Sequence, residues 1–394
     1  MKNKENTIPK GWQIKTIDQV CYNLDNLRVP ISKDKRIKGS IPYYGATGVL
    51  DYVAEYIFDE ELLLIGEDGA DWSRFAESAY LIKGKSWVNN HAHVLKCKKI
   101  NQVYLKEYLN FKDLNLYITG GTRGKLTKGI LSKIPVAVPT PEEQKKIAEI
   151  LACVDEDIEK TDEIIKNMQK LKMGLMQELF THGVGHIKFR KTKLGEIPEE
   201  WEIKNLKDIS NKIGDGLHGT PEYSNKSNYY FINGNNISDK KINIYSETKC
   251  ISLEEYELYK KELSNKSILL SINGTIGNVG FYNNEKVALG KSIAYINCNK
   301  DTSEEFIAYQ LETDRVINSF MKGLTGTTIK NLSLATIRQT PVFIPNIKEQ
   351  KKIAEILSAI DDKVDIYKQI KLKLTELKKG LMQDLLSGEV RVTN

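Results

Sequence analysis

The nine residues "EQKKIAEIL" occur twice in this chain, at 143–151 and again, without a substitution, at 349–357. The second copy starts 206 positions after the first. Two further pairs extend the repeat at the same offset: "PVAVPTPEEQ" (135–144) with "PVFIPNIKEQ" (341–350), and "MGLMQELF" (173–180) with "KGLMQDLL" (379–386). Because no insertion separates these matches, the repeated segments are equal in length and indicate an internal duplication.

The repeated segments have the periodicity of long helices. Apolar positions recur every three or four residues through both copies, which predicts an α-helix with one continuous apolar stripe. A stripe of about 40 residues is typical of a coiled-coil seam, and at ~1.5 Å per residue it makes a rod of about 60 Å. The partner of each seam is either the other copy or a different protein. The residues assigned to this spacer and to partner contacts are Gln144, Ile147, Leu151, Val154, Leu175, Gln350, Ile353, Leu357, Ile360 and Leu381.

A second match uses a different offset. "IPKGWQIK" at 8–15 resembles "IPEEWEIK" at 197–204, which lies 189 positions further on. Each repeat therefore consists of a tryptophan motif, a body that differs between the copies, a proline-bounded strand and a long helix. The chain is expected to divide into globular domains at 1–140 and 186–346 and spacer helices at 141–185 and 347–394.

The bodies between the repeated motifs have mixed patterns. Short β-rich runs alternate with turn residues and with helical stretches at 102–111 and 304–320. The β-rich runs are 62–69, 79–84 and 93–97 in the first body and 229–234, 267–274 and 278–283 in the second. These patterns predict two α+β domains.

The composition is that of an ordinary globular protein, with 40% hydrophobic and 28% charged residues. A length of 394 residues favours two or three domains, because single cores stop growing at roughly 250 to 300 residues. No signal peptide and no run of ~20 apolar residues is evident, so we expect a cytoplasmic protein that does not enter membranes. The five cysteines are scattered and never form C-x-x-C, which argues against a disulfide framework or a zinc site.

Positive charge is concentrated just before each repeated helix. No acidic residue lies between Asp113 and Glu142, nor between Asp314 and Glu349, although both windows contain several lysines and arginines. A locally basic segment is expected where a polyanion docks. The alternative interpretation is a lysine-rich solvated surface.

Sequence patterns that would indicate catalysis are incomplete. "ALGKS" at 288–292 resembles the end of a phosphate-binding loop, but Glu285 stands where that motif requires glycine. His91 and His93 form an H-x-H pair without a second cluster of metal ligands, so a metal site is disfavoured. "GEDGAD" at 66–71 has three carboxylates without the lysine of a nuclease site, and no [DN]-P-P-[YF] methyltransferase motif occurs. We therefore expect a chain without catalytic residues or metal.

Two different bodies joined by repeated helices of equal length suit a protein that reads two separated sites on a rod-like polymer such as B-DNA. The order of the motifs, with a doubled "EQKKIAEIL" and a downstream "GLMQ", resembles the specificity subunit of a type I restriction-modification enzyme. This resemblance covers essentially the entire chain. It implies an α+β fold with two mixed target-recognition domains separated by two long helices, which form an antiparallel coiled coil with an internal pseudo-two-fold repeat.

The resemblance also implies function and partners. Each target-recognition domain would read one half of a bipartite asymmetric sequence in double-stranded DNA. The paired helices would set the spacing and dock two adenine-methyltransferase (modification) subunits, and two motor-nuclease (restriction) subunits are able to join. No cofactor is expected on this chain: S-adenosylmethionine belongs to the methyltransferase, and ATP and Mg belong to the motor-nuclease.

Specificity subunits of this family carry a "G-x-T…L" segment before the proline-bounded strand. Here it is "GGTRGKL" (120–126) and "GTTIKNL" (326–332), aligned at the offset of 206. Its backbone and side chains could grip phosphates, which fixes register without reading sequence. A glycine-rich turn ahead of a strand is the compatible structural alternative. The candidate phosphate contacts are Thr122, Arg123, Lys125, Lys128, Thr327, Thr328, Lys330, Asn331 and Arg338.

Base reading is expected from loops that differ between the bodies. Asn and Arg suit this role because they can bond bidentately to adenine and guanine. Each of these residues could instead be a turn former. The candidate base contacts are Asn89, Asn90, His91, His93, His218, Thr220, Tyr223, Asn233, Asn235 and Asn236.

Two other functions remain open from the sequence. One is a coiled-coil adaptor that binds only proteins, against which the acid-free basic windows argue. The other is a fused restriction-methylation enzyme, against which the missing methyltransferase motif and the modest length argue.

Overall fold

The fold is taken from a computed structural model, which describes residues 9–121, 124–325 and 330–392. The chain divides into two compact units. Unit 1 consists of residues 1–164 and 367–394, and unit 2 consists of residues 165–366. Each long helix passes from one unit into the other, so each unit contains one body and a stretch of both helices.

Unit 1 is built from ten short strands and the first helices of the described chain. The strands are β1 (Gln13–Thr16), β2 (Cys21–Asn23), β3 (Lys38–Gly45), β4 (Gly48–Val53), β5 (Phe58–Asp59), β6 (Leu62–Gly66), β7 (Ala79–Ile82), β8 (Lys85–Val88), β9 (Ala92–Cys97) and β10 (Pro135–Val138). The helices are α1 (Ile17–Val20), α2 (Gln102–Phe111), α3 (Lys128–Leu131) and α4 (Pro141–Leu179), the last of which continues into unit 2.

Unit 2 has a longer body and shorter strands. Its strands are β11 (Phe189–Thr192), β12 (Gly195–Pro198), β13 (Glu202–Asn205), β14 (Ser210–Asp215), β15 (Tyr223–Ser224), β16 (Tyr229–Ile232), β17 (Ile237–Ser238), β18 (Lys241–Ile242), β19 (Cys250–Ile251), β20 (Ser267–Ser271), β21 (Val279–Phe281), β22 (Val287–Leu289), β23 (Ile293–Cys298), β24 (Leu324–Thr325), β25 (Asn331–Leu332) and β26 (Pro341–Ile344). Its helices are α5 (Leu253–Tyr259), α6 (Glu304–Leu311), α7 (Asp314–Lys322), α8 (Leu334–Gln339) and α9 (Ile347–Ser387), the last of which continues into unit 1.

The two bodies share one topology. Unit 1 contains an antiparallel sheet of order β2-β9-β6-β7, and unit 2 contains its counterpart, β14-β23-β20-β21. A second sheet in each unit includes one parallel pair, β3 with β8 and β16 with β22. The predicted α+β class and internal repeat are therefore confirmed.

The tryptophan motif and the proline-bounded strand, which repeat at different offsets, pair with each other in a small antiparallel ladder beside each body. In unit 1, Thr16 pairs with Pro135, and in unit 2, Asn205 pairs with Pro341. Asn205 lies 189 positions after Thr16, and Pro341 lies 206 positions after Pro135. These are the two repeat offsets, so equivalent residues pair in the two units and the register is the same. The extra length of the second body therefore leaves the base of the domain unchanged.

The start of each long helix is part of a domain core. Ile147 and Leu151 are fully buried in the core of unit 1, and Ile353 and Leu357 are fully buried in the core of unit 2. Val154 is also buried. Leu175, Ile360 and Leu381 are half-buried further along the helices.

The glutamine of each "EQ" dipeptide joins the helix start to the body. The Gln144 Oε1 atom accepts a hydrogen bond from the backbone N–H of Asn101 at 2.8 Å, and the Gln144 Nε2 atom donates to the Pro139 carbonyl at 2.9 Å. Gln350 makes the corresponding bonds with Ser303 and Pro345, both at 2.9 Å. Since Asn101 and Ser303 cap α2 and α6, each glutamine connects two helix N-termini.

The glutamate of each dipeptide accepts a hydrogen bond from the tryptophan of the same unit. Trp12 Nε1 donates to Glu143 at 2.9 Å, and Trp201 Nε1 donates to Glu349 at 3.2 Å. Both glutamates and both tryptophans are buried. The tryptophan motif is thus repeated together with the helix because the two meet in the folded domain.

The described stretches of α4 and α9 pack antiparallel within unit 1. Lys378 of α9 reaches Asp155 of α4 at 2.6 Å, and Lys371 reaches Asp162 at 2.7 Å. From the first contact to the second, the residue number falls by seven on α9 and rises by seven on α4, as expected for antiparallel helices. In unit 2, Lys172 of α4 meets Asp361 of α9 at 2.6 Å.

One predicted helix is divided in the structure. The segment 304–320 was expected to be a single helix, but it forms α6 and α7 with a break at Glu312 and Thr313. Thr313 has an extended backbone and is the N-cap of α7, with Asp314 in its first turn. An N-cap residue followed by an acid favours a new helix start, and this local signal outweighs the apolar periodicity.

Among the described residues, no helix combines the length and the apolar character that a membrane span requires.

Candidate DNA interface

The first "G-x-T…L" segment lies against the loop that follows β6. Lys125 forms a backbone bridge with Asp68, and the backbone N–H of Leu126 donates to the Glu67 carbonyl at 2.8 Å. The Lys125 ammonium also lies 2.8 Å from the Glu67 carboxylate. Thr122 and Arg123 lie outside the described residues, so their predicted phosphate contacts remain predictions.

A buried histidine contacts the first "G-x-T…L" segment from the interior of the domain. His93 is fully buried, with its Nδ1 atom 2.6 Å from the Asp25 carboxylate and its Nε2 atom 2.6 Å from the Leu126 carbonyl. Burial would raise the pKa of Asp25, but the hydrogen bond and charge of His93 outweigh burial and lower it. A base edge cannot reach His93 in this position, so we assign it to the support of the segment rather than to base contacts.

Asp25, Glu67 and His93 are also close enough to hold a metal ion. Arg28 already lies 2.5 Å from Glu67 and 2.8 Å from the Ala92 carbonyl, and Lys125 occupies the other Glu67 oxygen. Burial would raise the pKa of Glu67, but its contacts with Lys125 and Arg28 outweigh burial and lower it. The acids are thus neutralised by protein cations, and a metal ion would have to displace them.

A cleft of about 610 Å³ opens beside this cluster in unit 1. Asn90 is exposed in it, and the His91 side chain, 40% exposed, is held by Asp68 at 2.7 Å. Asn89 is buried, and its side-chain oxygen accepts a hydrogen bond from the His91 backbone N–H. We therefore assign Asn89 to loop support and Asn90 and His91 to the exposed surface. The remaining lining residues are Pro30, Ile31, Ser32, Lys35, Arg36, Tyr43 and Leu50.

The corresponding edge of unit 2 is a smaller cleft of about 330 Å³. Asn331 of the second "G-x-T…L" segment forms a backbone bridge with Asn273, as Lys125 does with Asp68 in unit 1. The Asn273 Oδ1 atom is buried and has no hydrogen-bond partner within the described chain. His218, 73% exposed, is held by Asp215 at 2.7 Å in the same cleft, together with the exposed Lys291.

The other predicted base contacts of unit 2 are divided between surface and interior. Thr220, Tyr223 and Asn235 are exposed. Asn236 is buried, and its amide donates to the Asn243 carbonyl and to Thr248. The Asn233 side-chain oxygen accepts a hydrogen bond from Ser292 at 3.0 Å. Asn233 and Asn236 therefore shape their loop, and the three exposed residues are the ones most accessible to a ligand.

The predicted phosphate contacts within the described chain differ in their exposure and in the contacts that their side chains make with the protein. Lys128 and Lys330 are exposed, and neither has a recorded ion pair among these residues. Arg338 is exposed but donates to the Ile213 carbonyl at 2.8 Å. Arg315 of the second basic window is half-buried and donates to the Pro341 carbonyl at 2.8 Å, and burial lowers its pKa to about 10. Thr327 and Thr328 lie outside the described residues.

Four residues that shape the clefts were not among the sequence candidates. They lie at or next to the ends of strands in the two corresponding sheets: Asp68, Asp215, Asn273 and Lys291. Asp68 belongs to the "GEDGAD" stretch, which was set aside because its three carboxylates lack the lysine of a nuclease site. The spacing of His218 three residues after Asp215 was visible, but a pair of that kind is too common to indicate a site.

The family was identified by comparison with known proteins. The sequence model described as the type I restriction modification DNA specificity domain matches residues 9–167 and 198–376. The chain belongs to this family. It is a specificity subunit of a type I restriction-modification system, and specificity subunits are generally non-catalytic.

Relatives of this specificity subunit align over nearly its whole length. It is 30% identical to the putative type I restriction enzyme specificity subunit S.HindORF215P of Haemophilus influenzae, over 92% of each chain. It is 26% identical to the type I restriction enzyme MjaVIII specificity subunit of Methanocaldococcus jannaschii, over 98% of this chain and 95% of that one.

Solved structures share the fold of this specificity subunit. The S subunit of a type I system from M. genitalium matches with a TM-score of 0.61 at 15% identity, over 98% of each chain. A chain from a structural study of type I complex assembly matches with a TM-score of 0.56 at 14% identity, over 98% of this chain and all of that one. At this identity the likeness concerns the fold alone.

Proposed function

We propose that each body reads one half of a bipartite asymmetric sequence in double-stranded DNA. The observation that carries this proposal is that the two units share the same backbone arrangement, while the side chains that line their clefts are different. The ladder register and the "EQ" contacts are the same in both units, whereas the cleft side chains differ in kind and position. Two readers with different contacts would recognise different half-sites, which makes the whole target asymmetric.

We further propose that the paired helices set the spacing of the two readers and dock two adenine-methyltransferase subunits. Exposed apolar residues recur at repeat-equivalent positions: Ile164 and Ile370 are 36% and 39% exposed, and Leu171 and Leu377 are 56% and 51% exposed. Residues seven apart lie on the same helix face. A protein that leaves such residues in water on two equivalent faces has suitable surfaces for two copies of one partner.

The cofactors then belong to the partners. The methyltransferase subunits would bring S-adenosylmethionine, and motor-nuclease subunits attached through them would bring ATP and Mg. The role of this chain is to place those enzymes on DNA by binding the target, without a reacting group of its own.

The docking proposal is tested by Leu171→Asp and Leu377→Asp, made separately in a chain co-expressed with its methyltransferase. Each charged side chain should block one docking face, so native mass spectrometry should show one bound methyltransferase instead of two. Leu372→Asp is the matched control, because Leu372 is 58% exposed on α9 but lies on the opposite side of the helix from Leu377, and its repeat equivalent is Lys166. A wild-type complex with a single methyltransferase would contradict the proposal.

The adaptor alternative is distinguished by DNA binding. A gel shift with the purified complex and DNA fragments should show binding that weakens steeply with salt, as expected when cationic side chains displace counterions. A complex that forms but leaves DNA unbound at low salt would favour the adaptor.

A further inference from the structure

Every histidine of this chain lies beside a carboxylate, but the five pairs differ in exposure. His93 and His186 have side chains that are 0% and 12% exposed, and both belong to the domain interiors. His91, His182 and His218 are 40%, 49% and 73% exposed. Of these three, His91 and His218 line the two clefts, whereas His182 stands at the end of α4.

The carboxylate in each cleft determines which ring nitrogen faces outward. In unit 1 the Nδ1 atom of His91 lies 2.7 Å from Asp68, which leaves Nε2 without a partner among the described residues. In unit 2 the Nε2 atom of His218 lies 2.7 Å from Asp215, which leaves Nδ1 without one in the described chain. A carboxylate accepts a proton donor, so the nitrogen that faces it carries the hydrogen and the outward nitrogen of the neutral ring is an acceptor.

These two pairs do not occupy equivalent positions in the repeat. His91 lies in the loop between β8 and β9, and its acid follows β6. Asp215 is the last residue of β14, which corresponds to β2 of unit 1, and His218 lies three residues after it. Both units therefore have a histidine–aspartate pair at the same end of the sheet, but next to different strands.

Both pairs also adjoin the segments expected to hold phosphates. Asp68 forms a backbone bridge with Lys125 of the first segment, and Asn331 of the second segment lines the cleft that contains His218. A phosphate contact beside each histidine would fix the duplex so that a base edge falls within its reach.

We propose that His91 and His218 are specificity-determining residues, each of which accepts a hydrogen bond from a base amino group in the major groove. This inference rests on the proposed function. The matching groups are the N6 amino group of adenine and the N4 amino group of cytosine, which are the donors that bases present in that groove. Asp68 and Asp215 are positioning residues, because they orient the ring and hold its proton on the inner nitrogen.

Methylation mapping of DNA from cells that express the chain with its methyltransferase tests this inference. His91→Ala should relax one base pair in one half of the target, by about tenfold to a hundredfold in discrimination. His218→Ala should relax one base pair in the other half only. In both cases the other positions should keep their specificity.

Conservative variants separate recognition from folding. The amide oxygen of glutamine can take the place of Nε2, and that of asparagine can take the place of Nδ1, so His91→Gln and His218→Asn should restore much of the lost discrimination. Asp68→Ala and Asp215→Ala should relax the same base pairs as their histidines, but to a smaller extent. His182→Ala, which removes an exposed histidine from the helix end, should leave the target unchanged.

The outcomes distinguish this inference from the function on which it rests. If wild-type cells show no bipartite methylation motif, the proposed function is wrong. If wild type shows such a motif and His91→Ala and His218→Ala leave it unchanged, the histidine assignment is wrong.

Discussion

Unit 1 and unit 2 hold their tryptophan and glutamate in the same way but neutralise the glutamate differently. Glu143 is bound by Arg391, through two bonds of 2.6 and 2.9 Å. Glu349 is bound by His186 at 2.8 Å and by the backbone N–H of Val184 at 3.1 Å. A buried carboxylate requires hydrogen-bond donors and a compensating charge, but different side chains can supply them.

The ion clusters farther along the helices likewise combine residues that are equivalent in the two units with residues that are not. Each contains two lysines and two acids: Lys106, Lys378, Glu107 and Asp155 in unit 1, and Lys172, Lys240, Glu312 and Asp361 in unit 2. Asp155 corresponds to Asp361 and Lys378 to Lys172, at the repeat offset of 206. The other acids come from corresponding helices at different positions, Glu107 within α2 and Glu312 just after α6, and the other lysines come from unrelated places, Lys106 in α2 and Lys240 between β17 and β18. Charge balance is thus common to both units, while half of the residues that achieve it are not.

The glutamates should give the largest difference between the units. Glu143→Gln would leave Arg391 charged without its partner, and we expect a loss of about 2 to 3 kcal/mol in the stability of unit 1. Glu349→Gln should cost about 1 kcal/mol in unit 2, because its partners there, the His186 ring and the Val184 backbone N–H, include no permanently charged guanidinium. Hydrogen exchange of amides in the β1–β10 and β13–β26 ladders measures each unit separately.

Equal losses in the two units would contradict this comparison. The double variant Glu143→Gln with Arg391→Ala provides the control within unit 1, since removal of both partners should be less harmful than removal of Glu143 alone.

The aspartates should give an intermediate effect that depends on pH. For both Asp155 and Asp361 burial would raise the carboxyl pKa, but contacts with two lysines outweigh burial and lower it. A carboxyl group with a lowered pKa stabilises the fold above its unfolded pKa of about 3.9, and this contribution is lost as pH falls through the folded value. Asp361→Asn should therefore cost about 1 to 2 kcal/mol at pH 7 and progressively less below about pH 4.

Thermal unfolding at pH 7 and pH 3 checks this prediction. Asp155→Asn should behave alike but lose less, because Asp361 also accepts a hydrogen bond from the Tyr309 hydroxyl at 2.7 Å. The neighbouring exposed Asp362 supplies the control variant, Asp362→Asn, which should change stability by less than about 0.5 kcal/mol. A destabilisation by Asp361→Asn that is undiminished at pH 3 would show that packing rather than charge is responsible.

The lysines of the two phosphate segments should give the smallest effect. Lys330→Ala should flatten the dependence of log K on log salt by about one unit without changing the sequence that is bound. Lys125→Ala should flatten it less, because contact with Glu67 already raises the pKa of Lys125 and compensates its charge. Gel shifts over a salt series measure both slopes, and an altered target sequence would exclude a phosphate role.

The periodic parts of the fold were predictable from the sequence. The expected helix at 102–111 coincides with α2, and the β-rich runs at 62–69 and 267–274 contain the central strands β6 and β20. Apolar periodicity identifies such elements because one face of each must be buried. The same reasoning was wrong about a single helix at 304–320, where the N-cap at Thr313 starts a second one.

The candidate site was only partly predictable for a physical reason. Turn-rich loops identified Asn90 and His218, which are exposed, and His91, which is half-buried, but they also included His93 and Asn236, which are buried. Polar residues in loops serve either ligands or the loop itself, and composition does not distinguish these uses. The distinction depends on which acceptors surround each side chain after folding, such as the Leu126 carbonyl beside His93.

The sequence by itself determined the duplication, the two long helices and the family, because repeats and apolar periodicity are properties of residue order. Only the tertiary structure decided which charges neutralise Glu143 and Glu349, and which histidines face the clefts. Those partners come from segments as distant as Arg391, and electrostatic pairing depends on distance in space rather than on separation along the chain.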